Sequence, residues 1–311
     1  MPSSFNKIAV IGTGVIGTGW IIRFLFNKKQ IKIFDPNIKQ KKILLNEIKR
    51  VTPVITKFYN NNIDIKKQLQ FCQTIEEAVT DADLIQENVP ENEKLKIEIL
   101  KEVSLYAKKK SIIASSSSGL LPTKIQTKAK NPERVLIAHP FNPVYLLPLV
   151  EIVPGKKTNK KNILEAKKFY TNLGMKTLVL KKELPGYLSD RLQESMWRES
   201  LHIINEGYAS TKDLDEAIVY GPGLRWSLMG TFLTFHLAGG EMGMTHMLEQ
   251  FGPTLKLPWT KLKAPKLTKK LKKNIIDGTK AQSKNKSINN LSNLRDNFLI
   301  DLQKLLKKYK V

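Results

Sequence analysis

The sequence predicts an α/β protein: a doubly wound, mostly parallel sheet followed by a second, all-helical domain. Three observations lead there. Short apolar runs alternate with helical periods as far as Leu180, a pattern that covers a parallel sheet with helices. Gly12, Gly14 and Gly17 stand at G-x-G-x-x-G spacing where the first run turns into the first helical period. Beyond Pro185 and Gly186 the β-type runs stop and only helical periods continue. With 311 residues and 41% hydrophobic content, the chain can bury a core in each of two domains, 1–184 and 185–311.

In chain order, the β-type runs are Ile8 to Ile11, Ile31 to Phe34, Leu84 to Gln86, Ile112 to Ser115, Val135 to His139 and Leu149 to Val153. Helical stretches such as Glu93 to Lys108 and Lys160 to Thr171 lie between them. Asn37 to Phe71 is too long for a simple connection and reads as an inserted helical pair. Leu188 to Glu206 has a helical period ending at Gly207, and Ser210 with Asp213 marks the next helix start. A last amphipathic stretch, Ile288 to Lys310, lines up Leu291, Leu294, Phe298, Leu302 and Leu305, a face that suits its own chain or a second subunit.

The glycines read as a nucleotide grip of the Rossmann type. The first allows the tight turn, the second lets backbone approach a pyrophosphate, and the third lets helix and strand pack closely. A helix starting near Gly14 offers free N–H groups and its positive dipole end to the diphosphate. Asp35 closes the second strand, where a carboxylate accepts hydrogen bonds from a ribose diol and repels a 2′-phosphate. NAD is therefore expected over NADP.

Composition narrows the class. A formal charge of +24 attracts polyanions, yet seven of the 52 basic residues are Arg and the lysines are spread along the chain, so no nucleic-acid site is expected. The densest stretch, Lys256 to Lys273, reads as a solvated connector or helix face. No apolar run reaches the roughly 18 residues of a membrane span, and the cytoplasm is the expected location. A single cysteine, Cys72, and four scattered histidines imply neither a disulfide nor a metal site.

A dinucleotide site predicts hydride transfer, and oxidising an alcohol also needs a base for the hydroxyl proton. His139 ends a β-type run, and Glu151 lies on the next, twelve residues on. Carboxyl ends of strands are where doubly wound sheets bind ligands. His202, His236 and His246 lack that context.

These segments resemble the 3-hydroxyacyl-CoA dehydrogenase family: a serine-rich strand end IIASSSSGL (112 to 120), HPFNP (139 to 143), Glu151 and the helix start GYLSDR (186 to 191). The resemblance spans about residues 5 to 250. It implies that His139 is the general acid/base, that Glu151 orients its ring and that Ser118 hydrogen-bonds the substrate oxygen. It further implies that Asn142 lies by the nicotinamide and that Glu91 and Lys96 line the cofactor cleft. One position departs from the family: its asparagine in the G-[FY]-x-x-N-R helix start is Asp190 here. A carboxylate there opposes a developing oxyanion and suits a cationic substrate, unless it pairs with Arg191 or caps its helix.

Three C-terminal segments, 196 to 207, 220 to 244 and 246 to 253, are similar to the L-carnitine dehydrogenase branch of that family. The substrate implied is a 3-hydroxy acid with a trimethylammonium group, L-carnitine, oxidised to 3-dehydrocarnitine. Aromatic faces recognise quaternary ammonium, and Phe141, Tyr145, Tyr187, Trp197, Trp226, Phe232 and Phe235 lie in the matching segments. Arg198 or Arg225 could grip the carboxylate as a fork. The family likeness also suggests a homodimer formed through the helical domain. Two other readings stay open, a 3-hydroxyacyl-CoA or L-gulonate 3-dehydrogenase on the same fold and a non-catalytic, crystallin-like NAD-binding protein.

Overall fold

A computed structural model describes all residues except 1–4, 254–256, 258–259, 261–265, 267, 283–286 and 309–311. The chain divides into two compact units, Met1–Asp190 and Arg191–Val311.

In the first unit, β1 (Lys7–Ile11) leads into α1 (Val15–Phe26) and β2 (Gln30–Phe34). Then come α2 (Lys39–Tyr59), α3 (Ile65–Gln68), β3 (Leu69–Phe71), α4 (Ile75–Val79), β4 (Leu84–Glu87), α5 (Glu93–Tyr106), β5 (Ile112–Ser115) and α6 (Pro122–Ile125). The unit closes with β6 (Val135–Pro140), β7 (Leu149–Pro154), α7 (Lys160–Asn172) and β8 (Lys176–Val179). The eight strands form one sheet in the order β3-β2-β1-β4-β5-β6-β7-β8. All neighbours pair in parallel except β6 and β7, which run antiparallel. The chain order reverses between β1 and β4, the switch point where such sheets open a crevice.

Burial explains the sheet. β4, β5 and β6 are covered along their whole length, so each opens on consecutive apolar residues rather than alternating, and the polar residues Gln86, Glu87, Ser115 and His139 at their carboxyl ends are buried too. β3 and β8, two strands the sequence does not announce, are short and only half-buried. Their side chains therefore leave no pattern to read.

Over Asn37 to Phe71, where a helical pair is expected, the two helices are very unequal and a strand follows them. The segment folds as one long helix, α2, followed by the single turn α3 and the edge strand β3. Leu44, Ile48, Val51 and Ile55 make a continuous buried stripe across Pro53, so packing carries the helix through a residue that removes one backbone bond.

The second unit is helical, and its described residues contain no strand: α8 (Ser189–Glu206, starting at the end of the first unit), α9 (Thr211–Val219), α10 (Pro222–Trp226), α11 (Thr231–Ala238), α12 (Met244–Phe251), α13 (Lys269–Gln282) and α14 (Ile288–Lys308). Ser210 and Asp213 close a reciprocal capping box on α9, as their spacing predicts. On α14, Ile300 and Asp296 are buried, whereas Leu294, Phe298 and Leu305 point to solvent. Most of the Lys256 to Lys273 stretch up to Thr268, and Lys310 at the end of the last amphipathic stretch, lie outside the described residues. No described helix is long and apolar enough to cross a membrane.

Candidate active site

The dinucleotide grip is built at the carboxyl end of β1. Gly12 has φ +88°, and a Cβ there would lie 2.9 Å from the Asn88 carbonyl oxygen. A Cβ on Gly17 would stand 2.0 Å from the Gly12 oxygen, so the close approach of α1 to the turn requires glycine. Gly14, the N-cap of α1, faces open space: nothing comes within 4 Å of a Cβ built on it, and no side chain caps the helix. Such a cradle, with unfilled N–H groups and a positive helix end, fits a diphosphate. Asp35 sits beside it, one carboxylate oxygen accepting from the Thr13 N–H and hydroxyl at 2.7 Å each and the other from the Asn37 N–H at 2.9 Å. Asp35 is thus fixed in place next to the glycine turn.

The antiparallel register of β6 and β7 places His139 directly opposite Glu151. His139 Nδ1 lies 2.9 Å from Glu151 Oε2, with both side chains buried. The other Glu151 oxygen accepts the backbone N–H groups of Leu188 (3.0 Å) and Ser189 (3.1 Å) at the start of α8. Burial pushes the Glu151 carboxyl up, but the hydrogen bonds from His139 and those two N–H groups outweigh it and hold the group below the usual carboxylate range. An ionised Glu151 selects the tautomer with hydrogen on Nδ1 and leaves Nε2 as the acceptor facing the site.

Asp190 lies on that side, its Oδ2 3.5 Å from His139 Nε2. Its carboxylate is a third exposed and points at the His139 ring. The ring is also edged by Phe141 and Tyr187, at centroid distances of 5.6 and 5.4 Å. Tyr187 is fully buried in the left-handed region at φ +47° and donates its hydroxyl to the Leu120 carbonyl at 2.7 Å. Burial, with Glu91, Glu151 and Asp190 nearby, pushes its phenol well up, so it remains a neutral donor.

Ser118 is exposed just past β5, and Asn142 is exposed just past β6. Glu91 reaches the serine loop: one oxygen accepts from the Ser117 hydroxyl and from the N–H groups of Ser118 (3.1 Å) and Gly119 (3.2 Å). Lys96 is only 1% exposed, so it is no surface partner of Glu91. Its ammonium donates to Glu87 Oε1 at 2.8 Å and to the Val89 carbonyl at 2.9 Å, and lies 3.5 Å from Glu91 Oε2. Glu87, which no motif in the sequence marks, is fully buried at the end of β4 and also accepts from the Ser115 hydroxyl and the Val89 N–H. A charged residue closing an apolar strand is the one signal that could have found it.

The remaining candidates are distributed differently. Tyr145 is buried, and its hydroxyl accepts from Arg50 of α2 at 3.3 Å. Trp197, Arg198 and Arg225 belong to the second unit. Trp197 and Arg225 are exposed, and Arg198 pairs with Glu194 at 3.0 Å. Among the described residues, no group of three His, Cys, Asp or Glu could hold a metal ion.

With that geometry in view, comparisons with known proteins are specific. Residues 7–184 match the family described as "3-hydroxyacyl-CoA dehydrogenase, NAD binding domain", and residues 186–278 match "3-hydroxyacyl-CoA dehydrogenase, C-terminal domain". The chain is 50% identical over 307 residues to the L-carnitine dehydrogenase of Bacillus cereus, covering 99% of this chain and 94% of that protein. It is 50% identical over 304 residues to the L-carnitine dehydrogenase of Oceanobacillus iheyensis, covering 98% and 99%. Among solved structures, the NAD+ dependent dismutase 5-formyl-3-hydroxy-2-methylpyridine 4-carboxylic acid 5-dehydrogenase superposes with a TM-score of 0.80 at 23% identity, over 97% of this chain and 99% of that one. The (S)-3-hydroxybutyryl-CoA dehydrogenase of Ralstonia eutropha gives 0.63 at 20% identity, over 80% and 88%. Those two likenesses speak to the fold.

Proposed function

Because the chain belongs to the 3-hydroxyacyl-CoA dehydrogenase family of NAD-dependent enzymes, we propose that it oxidises the 3-hydroxyl of L-carnitine to 3-dehydrocarnitine. The observation that carries the mechanism is the His139 ring held by Glu151 on Nδ1, which leaves Nε2 open to the site with Asp190 Oδ2 3.5 Å away. Near full-length identity to L-carnitine dehydrogenases supports the substrate.

NAD, when bound, would supply the acceptor for the hydride that leaves C3 with its electron pair. Gly12, Gly14 and Gly17 would hold its diphosphate and Asp35 its ribose, while Asn142 and Glu91 would form the nicotinamide end of the cleft, with the buried Lys96 fixing Glu91 from behind. His139 takes the hydroxyl proton on Nε2 as the C–O bond becomes a carbonyl. Glu151 stabilises the imidazolium that results and keeps the ring from rotating. Ser118, on the loop fixed by Glu91, donates to the substrate oxygen. Asp190 faces the same space and supplies negative charge for a trimethylammonium group, with Phe141 and Tyr187 packed about the same His139 ring as the aromatic candidates. We also propose that the chain works as a homodimer joined through its helical unit.

The test is NADH formation with purified protein, NAD and L-carnitine, D-carnitine, L-gulonate or 3-hydroxybutyryl-CoA. Turnover on L-carnitine is expected, and its absence beside turnover on another member overturns the substrate. His139→Asn and Glu151→Gln should each lower kcat by about a hundredfold or more in folded protein. Near-normal turnover in either would refute the acid/base pair.

A further inference from the structure

The connection between β6 and β7, residues 141–148, follows His139 directly and begins with Phe141 and Asn142, yet it contains no helix or strand of its own. Its support comes from α1 and α2. Arg23, on α1 and 2% exposed, donates from Nε to the Val144 carbonyl at 2.6 Å, from Nη2 to Leu147 at 3.0 Å and from Nη1 to Leu173 at 3.1 Å. Tyr59, the last residue of α2, donates its hydroxyl to the Tyr145 carbonyl at 2.9 Å. Gly19 lets α1 come close, since a Cβ there would lie 2.9 Å from Val144 Cβ.

A buried guanidinium is expensive to desolvate, so an apolar side chain would fill this space at lower cost. The carbonyls give the reason for its retention: carbonyls facing a core have few donors available, and one rigid fork satisfies two in the connection and a third, Leu173, at the end of α7. Burial lowers the Arg23 pKa, and the Tyr59 hydroxyl lies within its electrostatic reach. The helix that makes these contacts is the one whose first turn forms the phosphate cradle.

We infer that Arg23 and Tyr59 are positioning residues, which tie the connection carrying Phe141 and Asn142 to the cofactor-binding helix α1 and to α2, and so set the placement of the His139 segment against the nicotinamide. This rests on the hydride-transfer reading above. Its energetic lever is orientation: a displacement of about 1 Å from a remote change can cost on the order of a hundredfold in rate.

Tyr59→Phe and Arg23→Lys test it, with Arg23→Met as the stronger lesion, on whichever 3-hydroxy acid the wild type turns over. Tyr59→Phe should lower kcat by roughly threefold to tenfold and Arg23→Lys by about tenfold or more. The Kd for NAD, read by tryptophan fluorescence, should stay within about twofold, because the glycine turn is untouched. The kinetic isotope effect with substrate deuterated at C3 should rise as hydride transfer becomes limiting. Variants that keep wild-type kcat and isotope effect while only Tm falls would reduce the pair to ordinary core residues and overturn the inference. If Arg23→Met yields no folded protein, the two milder variants decide. A wild type silent on every substrate refutes the functional reading instead. Hydrogen exchange of residues 141–148 in the NAD-bound protein then decides separately, with faster exchange in Tyr59→Phe expected and unchanged exchange overturning the clamp.

Discussion

At the scale of single residues, the charge balance around His139 is what the proposed function relies on to separate one substrate class from another. Glu151 carries negative charge at Nδ1, where it stabilises an imidazolium, and its carboxyl is held below the usual range. A depressed carboxyl contributes stability above its unfolded value and loses it as pH falls through the folded value. The His139–Glu151 contact should therefore persist through neutral pH and weaken only in acid. Asp190 differs because it faces the site and is a third exposed, so a substrate can reach it. Near a neutral substrate its charge opposes the developing oxyanion; beside a trimethylammonium group it is compensated. Asp190→Asn should raise KM for L-carnitine about tenfold, equivalent to about 1.4 kcal/mol, while leaving an uncharged 3-hydroxy acid unchanged or better used. Steady-state kinetics on both substrates measure this, and equal effects on the two would remove the charge-pairing role.

Among elements, the serine loop after β5 depends on α5 through one ammonium. Lys96 spans from its helix to Glu87 and Glu91, and Glu91 holds the N–H groups of Ser118 and Gly119. Lys96→Met would leave Glu87 charged in the core without its ammonium, a loss of about 3–5 kcal/mol by the general cost of breaking a buried pair. Thermal unfolding should register a large drop in Tm, together with a fall in kcat as Ser118 loses its fixed position. An unchanged Tm would mean that Glu87 takes up a proton or finds another donor.

Sequence and structure part at comparable places. Gly12, Gly17, His139 and Glu151 are legible because glycine spacing and strand-end position are local signals. Glu87 is not, since its meaning depends on Lys96 arriving from another element. Nor is the division among the aromatics, where one ring neighbours His139 at Phe141 and another meets Arg50 of α2 at Tyr145. β3 and β8 escape notice for a related reason: pairing with neighbouring strands, rather than their own pattern, makes them strands. Within the predicted helical pair the helices are unequal and a strand follows, because the length of a segment does not say where its helices end. The buried stripe from Leu44 to Ile55 sustains one helix, and pairing with β2 turns Leu69–Phe71 into a strand.

For the whole molecule, the second unit poses the question of what its apolar surface meets. Within residues 191–311, the buried hydrophobic residues among those described are Leu201, Leu271 and Ile300, while Leu192, Trp197, Phe232 and Leu248 are exposed. On α14, Leu294, Phe298 and Leu305 form an outward stripe of helical spacing, the arrangement of a face made for a partner. Covering such a face with a second copy removes apolar area from water, at about 25 cal/mol per Å² before the costs of association. Opposing it is the charge of +24 on each chain, which repels a second copy most strongly where screening is weakest. The proposed homodimer should accordingly tighten with salt, the reverse of an assembly held by ion pairs. Sedimentation equilibrium at micromolar protein should find a dimer near physiological ionic strength and measurable dissociation at about tenfold lower salt, where the screening length grows roughly threefold. Phe298→Asp should shift the equilibrium toward monomer at both, because it places a charge in the apolar stripe. A monomer under both conditions in the unaltered protein would rule out the dimer. A dimer indifferent to both salt and Phe298→Asp would move the interface away from α14.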